Sequence, residues 1–252
     1  MPVSPPEPDP FVAWFRDHAA TLSTLDPDGP LDDLEPLREI VGDARVLAVG
    51  ENAHFVREFG LARRCVSRFL AERCGFTTFA FEFGFSEAFA LDPWLQGEGN
   101  DDDLAGLSPA AARWGAGELM HWLRRHNTRS SHPLRFVGVD LPEAGGTLRP
   151  ALDPVADHLA DVDPDALPIL RAVLSIADQM ASESGAGAGP AWAILDVAGQ
   201  NAMTAGLARL LMRLRALEPL LVARSSQRDH DVAVRRVEAH ATPTTCGASW
   251  RA

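Results

Sequence analysis

Three short apolar runs constrain this chain more than any other feature: Arg45–Gly50 (Arg-Val-Leu-Ala-Val-Gly), Thr77–Phe83 (Thr-Thr-Phe-Ala-Phe-Glu-Phe) and Leu134–Asp140 (Leu-Arg-Phe-Val-Gly-Val-Asp). Each has the length and the β-branched or aromatic content of a buried strand. The intervals between them carry helical periodicity. Phe55, Phe59, Ala62, Val66, Phe69 and Leu70 recur at steps of three and four and stop at Cys74-Gly75, which predicts a helix closed by a C′ glycine. A second helix is predicted over Ser86–Trp94. A third runs from about Trp114 to His126, with Leu119, Trp122 and Leu123 on one face. Helical connections of a dozen residues or more cannot join antiparallel hairpin neighbours, so the strands pair in parallel through crossovers. The predicted fold class is α/β: a parallel-sheet core with helical crossovers and an added helical region, incomplete at its C-terminus.

The rest of the chain fits around that core. A proline-rich, flexible N-terminus covers 1–10, the α/β core 11–150, a helical region 151–240 and an irregular tail 241–252. An amphipathic helix is expected from Phe11 to before the Asp26–Pro30 turn. Within the helical region, Ser182–Pro190 reads as a flexible connector and Trp192–Leu221 as a long Ala/Leu-rich helical stretch.

Composition excludes several kinds of chemistry. All 23 basic residues are Arg and none is Lys, so a Walker lysine, a Schiff-base lysine and a Ser–Lys dyad are ruled out. The formal charge is −12 with the arginines scattered, which does not make a nucleic-acid footprint. Cys65, Cys74 and Cys246 lack metal or disulfide spacing, so a reducing, cytoplasmic setting is expected and no thiolate metal site. The N-terminus lacks the basic and apolar regions of a signal peptide. No apolar run approaches ~18 residues, so no membrane span is expected. Neither a Gly-x-Ser-x-Gly elbow nor a Gly-x-Gly-x-x-Gly fingerprint occurs, so a nucleophile-elbow hydrolase and a Rossmann oxidoreductase find no support; water is the expected nucleophile, and no cofactor is expected.

Each run delivers a carboxylate at or just beyond its carboxyl end: Glu51, Glu82 and Asp140. Parallel strands bring those ends to one edge, where ligands bind in open α/β sheets. Converging carboxylates shift one another's pKa values unless a cation or imidazole lies among them. His54, in Gly50-Glu51-Asn52-Ala53-His54-Phe55, is placed to take a proton from water near pH 7 with a neighbouring acid fixing its tautomer. Arg63 follows nine residues later, roughly two and a half helical turns on. The plainer reading stands beside this one, since an acid after a strand can simply cap a helix and Asp140 before Leu-Pro can start a turn. His121 and His126 read as surface or packing residues. His18, His132, His158, His230 and His240 are expected to face solvent.

Taken together, Val46–Phe59, Phe79-Ala-Phe-Glu-Phe-Gly-Phe-Ser-Glu-Ala88, Trp122-Leu-Arg-Arg-His-Asn127 and Phe136-Val-Gly-Val-Asp-Leu141 resemble the erythromycin esterase family in order and spacing, over about residues 10–235. The resemblance implies hydrolysis of a macrolide lactone ester, a macrolide-resistance activity, on a small-molecule substrate. It implies His54 as general base, Glu51 and Glu82 as acids of the same cleft, Arg63 as its arginine and Asp140 in a supporting, substrate-side role, with no metal. Oligomeric state is left open. Family members continue beyond the Arg228-Asp229 helix to a strand bearing His-Asn-x-His. This chain ends before such a motif, so the expectation is a C-terminally truncated member: a hydrolase opening a macrolide lactone by His-activated water is the leading reading, with loss of activity through truncation standing beside it. A non-catalytic remnant or small-molecule-binding module is the alternative, and a metal- or haem-binding protein the third; one histidine with acids falls short of the usual three-ligand zinc site.

Overall fold

The computed structural model describes residues 9–50, 53, 56–108, 111, 116–140, 147–181 and 185–241. It comprises two compact units, Met1–Thr77 and Thr78–Ala252.

Among its described residues the first unit has three α-helices: α1 (Pro10–His18), α2 (Pro36–Val41) and α3 (Arg57–Cys74). Asp9 starts α1 by accepting the Phe11 N–H at 2.8 Å, next to a proline whose missing N–H is no loss at a first-turn position. None of the α1 residues is buried, and Phe11, Trp14 and Phe15 stand exposed. In α3 the C-terminal half of the predicted stripe packs, through Val66, Phe69 and Leu70, whereas Phe59 is 40% exposed and Phe55 lies outside the described residues. Cys65, Phe69 and Leu70 bury against Leu31, Leu34 and Val41, and Arg38 lies 5.7 Å above the Phe69 ring while donating to the Arg73 carbonyl at 2.7 Å. The helix stops where expected. Gly75 takes φ +77°, which lets the Phe76 N–H turn back to the Leu70 carbonyl at 3.0 Å.

The run at 45–50 departs from expectation: within the first unit's described residues, 46–50 are not in a strand, and Val46 and Val49 are 86% and 48% exposed. An apolar run supplies side chains for a sheet but not the neighbouring backbone that a strand requires.

In the second unit β1 (Thr78–Gly84) and β2 (Arg135–Asp140) pair in parallel, with Phe79 opposite Phe136 and Phe81 opposite Gly138. Phe79, Phe81 and Phe83 gather their rings around Phe136 at centroid separations of 5.7–6.5 Å, while Thr78, Ala80 and Glu82 alternate outward and are exposed. The register then slips by one residue, so that Gly84 faces Asp140. Gly138 makes that slip possible: a Cβ there would stand 2.5 Å from the Phe83 carbonyl oxygen.

The crossover between the strands runs through α4 (Phe85–Leu95), α5 (Leu104–Leu107) and α6 (Gly117–Arg129). Leu91, Trp94 and Leu95 of α4 and Met120, Trp122 and Leu123 of α6 are each 2% exposed or less. Polar side chains seat β2. Asp92 of α4 accepts the Phe136 N–H at 3.0 Å, and Asn127 of α6 both donates to the Leu134 carbonyl and accepts its N–H, at 2.9 and 2.8 Å. Arg124, 9% exposed, closes the loop between α4 and α5 by donating to the carbonyls of Trp94, Glu98 and Gly99 and to Asp101.

From Arg149 onward the described elements are helical: α7 (Arg149–Val162), α8 (Leu167–Ala177), α9 (Gly185–Ile194), α10 (Val197–Ala216), α11 (Glu218–Val222) and α12 (Gln227–Ala241). Leu152, Val155, Leu159, Leu170, Leu207, Leu210, Leu214 and Val237 form their common core, each such burial stabilising the fold by roughly 1.5–3 kcal/mol before entropy is counted. One expectation needs correction here: residues 185–190 of the expected connector are helical. The helical stretch expected over 192–221 is present and is divided at Asp196, whose carboxylate accepts the Gly199 N–H at 2.6 Å and begins a new helix, and again at Leu217. Asp163, 6% exposed, ties the α7–α8 turn to α10 through two bonds from Arg213, at 2.5 and 2.7 Å.

Candidate active site

A cavity of about 670 Å³ opens at the carboxyl edge of the β1–β2 pair. Phe85 and Val139 bring apolar surface to it from just beyond β1 and from the end of β2, and Leu211, Ala239 and Ala241 do so from α10 and α12. Its charged lining is Asp140, Arg215, Arg235 and Glu238. Glu238 accepts from both arginines, from Arg215 by a short contact and from Arg235 at 2.7 Å. Both guanidinium groups are more than half exposed, so these pairs contribute little to stability, and their exposed N–H groups are accessible to a bound oxygen ligand. Two acids, two guanidinium groups and an apolar wall suit a largely apolar, oxygen-bearing small molecule.

The residues singled out from the sequence fall in different places. Asp140 ends β2 and lines this cavity. Glu82 is exposed on the face of β1 opposite its phenylalanines and is not part of that lining. Arg63 is a half-buried residue of α3 in the first unit. Glu51 and His54 lie outside the described residues. Among the described residues no cluster of three or more His, Cys, Asp or Glu side chains could hold a metal ion, and no helix is long and apolar enough to cross a membrane.

Three histidines expected in solvent are not there. His230 is 1% exposed, and its Nδ1 has no hydrogen-bond partner among the described residues. His158 is half-buried on α7, and desolvation pulls its pKa down, with Asp229 and Asp161 opposing the shift and His230 adding to it. His240 sits in α12 between the cavity residues Ala239 and Ala241, and burial pushes its pKa down to about 4. It is therefore a neutral imidazole at pH 7. The signal for these residues was in the sequence: His230, Ala233, Val237 and His240 follow one another at steps of three and four, the stripe by which α12 packs on the helical core. His126 does pack, with its ring against Trp122 at 5.5 Å and Nε2 at 3.0 Å from the His132 carbonyl.

Comparison with known proteins matches this arrangement to one family. The profile of the erythromycin esterase family fits residues 71–245. Erythromycin esterase type II of Escherichia coli is 35% identical over 215 residues, covering 83% of this chain and 50% of its own length. Erythromycin esterase type I of the same organism is 34% identical over 198 residues, covering 75% and 47%. The chain thus spans about half the length of these relatives. In three dimensions it resembles a mutant of the erythromycin esterase EreC in its open conformation, with a TM-score of 0.77 and 27% identity over 86% of this chain and 53% of that one. A Bacillus cereus protein, at 19% identity and a TM-score of 0.70 over 91% of this chain and 54% of that one, shares the fold. With its family profile, its two relatives and its parallel-sheet core in agreement, the chain belongs to the erythromycin esterase family.

Proposed function

We propose that this protein is an ester hydrolase that opens the lactone ring of a macrolide by direct addition of water. The observation that carries the proposal is the 35% identity to erythromycin esterase type II over 83% of the chain, a span that includes the Glu51-x-x-His54 segment by resemblance. The cavity at the sheet edge, with its apolar wall and Asp140, suits such a ligand.

In this mechanism His54 takes a proton from water as the oxygen attacks the lactone carbonyl carbon. Glu51 and Glu82 hold the imidazole and the water, and Arg63, with Asp140 on the substrate side, orients the ester. The tetrahedral oxyanion collapses with cleavage of the ring C–O bond, and the proton held on His54 passes to the departing alkoxide. The product is a linear hydroxy acid, ionised at neutral pH. Nothing in this sequence calls for a metal or an organic cofactor, and all of it takes place on a soluble small molecule in the cytoplasm. Incubation with erythromycin followed by mass spectrometry tests the proposal. A product heavier by one water supports it, binding without that product assigns the chain to ligand capture instead, and neither binding nor product refutes it.

A further inference from the structure

The charged lining of the sheet-edge cavity is unevenly arranged. On its helical side Arg215, in the last turn of α10, and Arg235 of α12 both donate to Glu238, which follows Arg235 by three residues on the same face of α12. Glu238 gives one oxygen to each. Its Oε1 accepts from Nη2 of Arg215 by a short contact, and its Oε2 accepts from Nη1 of Arg235 at 2.7 Å. Arg213, two residues before Arg215, shows the other way an arginine pairs: its Nε and Nη2 take both oxygens of Asp163, which makes a closed, neutral bridge. The Arg215–Glu238–Arg235 group instead sets two cations against one anion, and each guanidinium, with five N–H donors, engages Glu238 through a single nitrogen. At 57% and 71% exposure the two side chains do little to fasten α10 to α12. What Glu238 does is hold two like charges side by side on one wall of the cavity.

Asp140 brings a carboxylate to the cavity from the end of β2, and Phe85, Val139 and Leu211 give it apolar surface. The lining is therefore polarised, cationic on its helical side and anionic at the strand end. Its volume of about 670 Å³ falls within the ~300–1,000 Å³ of small-molecule sites. The ligand that answers this pattern has a carboxylate for the guanidinium N–H groups, an apolar stem and a hydroxyl that donates to Asp140. A neutral lactone lacks the first of these. A linear hydroxy acid has all three.

We propose that Arg215 and Arg235, held together by Glu238, form a carboxylate subsite that recognises an apolar hydroxy acid of the kind lactone opening yields. That this acid is the chain's own product rests on the ring-opening reading above; the binding of such an acid does not. Isothermal titration calorimetry of the full chain with 8-hydroxyoctanoate tests it, with 8-hydroxyoctanamide as the uncharged analogue and octanoate as the analogue without the hydroxyl. The acid should bind at one site, more weakly as salt is raised. The amide should bind at least about tenfold more weakly, with octanoate between the two. Arg215→Gln and Arg235→Gln should each weaken binding of the acid by roughly tenfold at unchanged Tm. Arg235→Lys, which keeps the charge and loses the fork, should fall between wild type and Arg235→Gln. Arg209→Gln removes the same charge from an exposed position of α10 outside the lining and should bind as wild type. In turnover of erythromycin the ring-opened acid should inhibit competitively, and Arg235→Gln should weaken that inhibition while leaving KM for the lactone nearly unchanged. No binding of the acid, equal binding of acid and amide, or a loss in Arg209→Gln matching that in Arg235→Gln would overturn the proposal. If the wild-type chain leaves erythromycin unopened, the ring-opening reading fails by itself and the titration with 8-hydroxyoctanoate still decides the subsite.

Discussion

Replacing Gly138 by alanine should damage the sheet more than any other glycine-to-alanine change in β1 or β2. Its added Cβ would stand 2.5 Å from the Phe83 carbonyl oxygen and 2.6 Å from the Gly84 carbonyl carbon, with the Gly84 oxygen closer still. All three are backbone atoms, so no side-chain rotation relieves the contact. The strands must instead separate by several tenths of an ångström at the point where the register already slips. Overpacking of this kind costs about 1–3 kcal/mol, and the upper end applies because the obstacle is backbone on the paired strand. At about 2–4 °C per kcal/mol for a chain of this size, the Tm of the transition that includes the sheet should fall by roughly 6–12 °C. Gly60 supplies the opposite control. It lies inside α3, and nothing stands within 4 Å of a Cβ there, so Gly60→Ala should stabilise by about 0.5–1 kcal/mol. Differential scanning calorimetry of both variants reads the two signs. A Gly138→Ala protein within about 0.5 kcal/mol of wild type, the range of an innocuous surface change, would refute the description of the β1–β2 slip.

Three further expectations follow from buried polar groups. The hydrogen bonds from Arg213 hold the Asp163 carboxyl below its ordinary value of 3.8, so their contribution is present above that value and lost as pH falls through the lower folded-state pKa; Asp163→Asn should flatten the acid limb of a pH–stability curve measured by urea unfolding. His240 shows the same pH direction for the opposite reason: its folded pKa of about 4 lies below the ordinary 6.5, so the unfolded chain takes up the proton first and stability drops as pH falls from 6.5 towards 4, by up to about 3 kcal/mol. His240→Gln should remove that slope, and an unchanged slope would place the titration elsewhere. Arg124→Lys should cost about 2–4 kcal/mol in chemical denaturation, because an ammonium cannot serve three carbonyls and Asp101 from one position.

What the sequence could reveal depended on whether the cause was local. The α3 helix and its end at Gly75 were legible because apolar spacing and a left-handed glycine are both written in adjacent residues. β1 and β2 were legible as strands, and their parallel pairing followed from the length of the helical crossover. The run at 45–50 reads equally well as a strand, but pairing is a property of two segments and only one was being read. The break at Asp196 was hidden by good helix formers on both sides, although an aspartate ahead of Val-Ala-Gly is itself a cap signal. Asp140 was found as a strand-end acid and does line the cavity, whereas Arg215, Arg235 and Glu238 were missed. Those three come from α10 and α12, far along the chain, and no spacing within either helix marks them as facing a sheet edge.

The most direct test of the account is the rate of erythromycin ring opening by the wild-type chain and by a His54→Ala variant shown by circular dichroism to be folded. Water activation by His54 predicts a wild-type product heavier by one water and a variant slower by about 10²–10⁴-fold, the usual loss when a general base is removed. A folded His54→Ala protein that opens the ring at the wild-type rate would contradict the account and take His54 out of the mechanism.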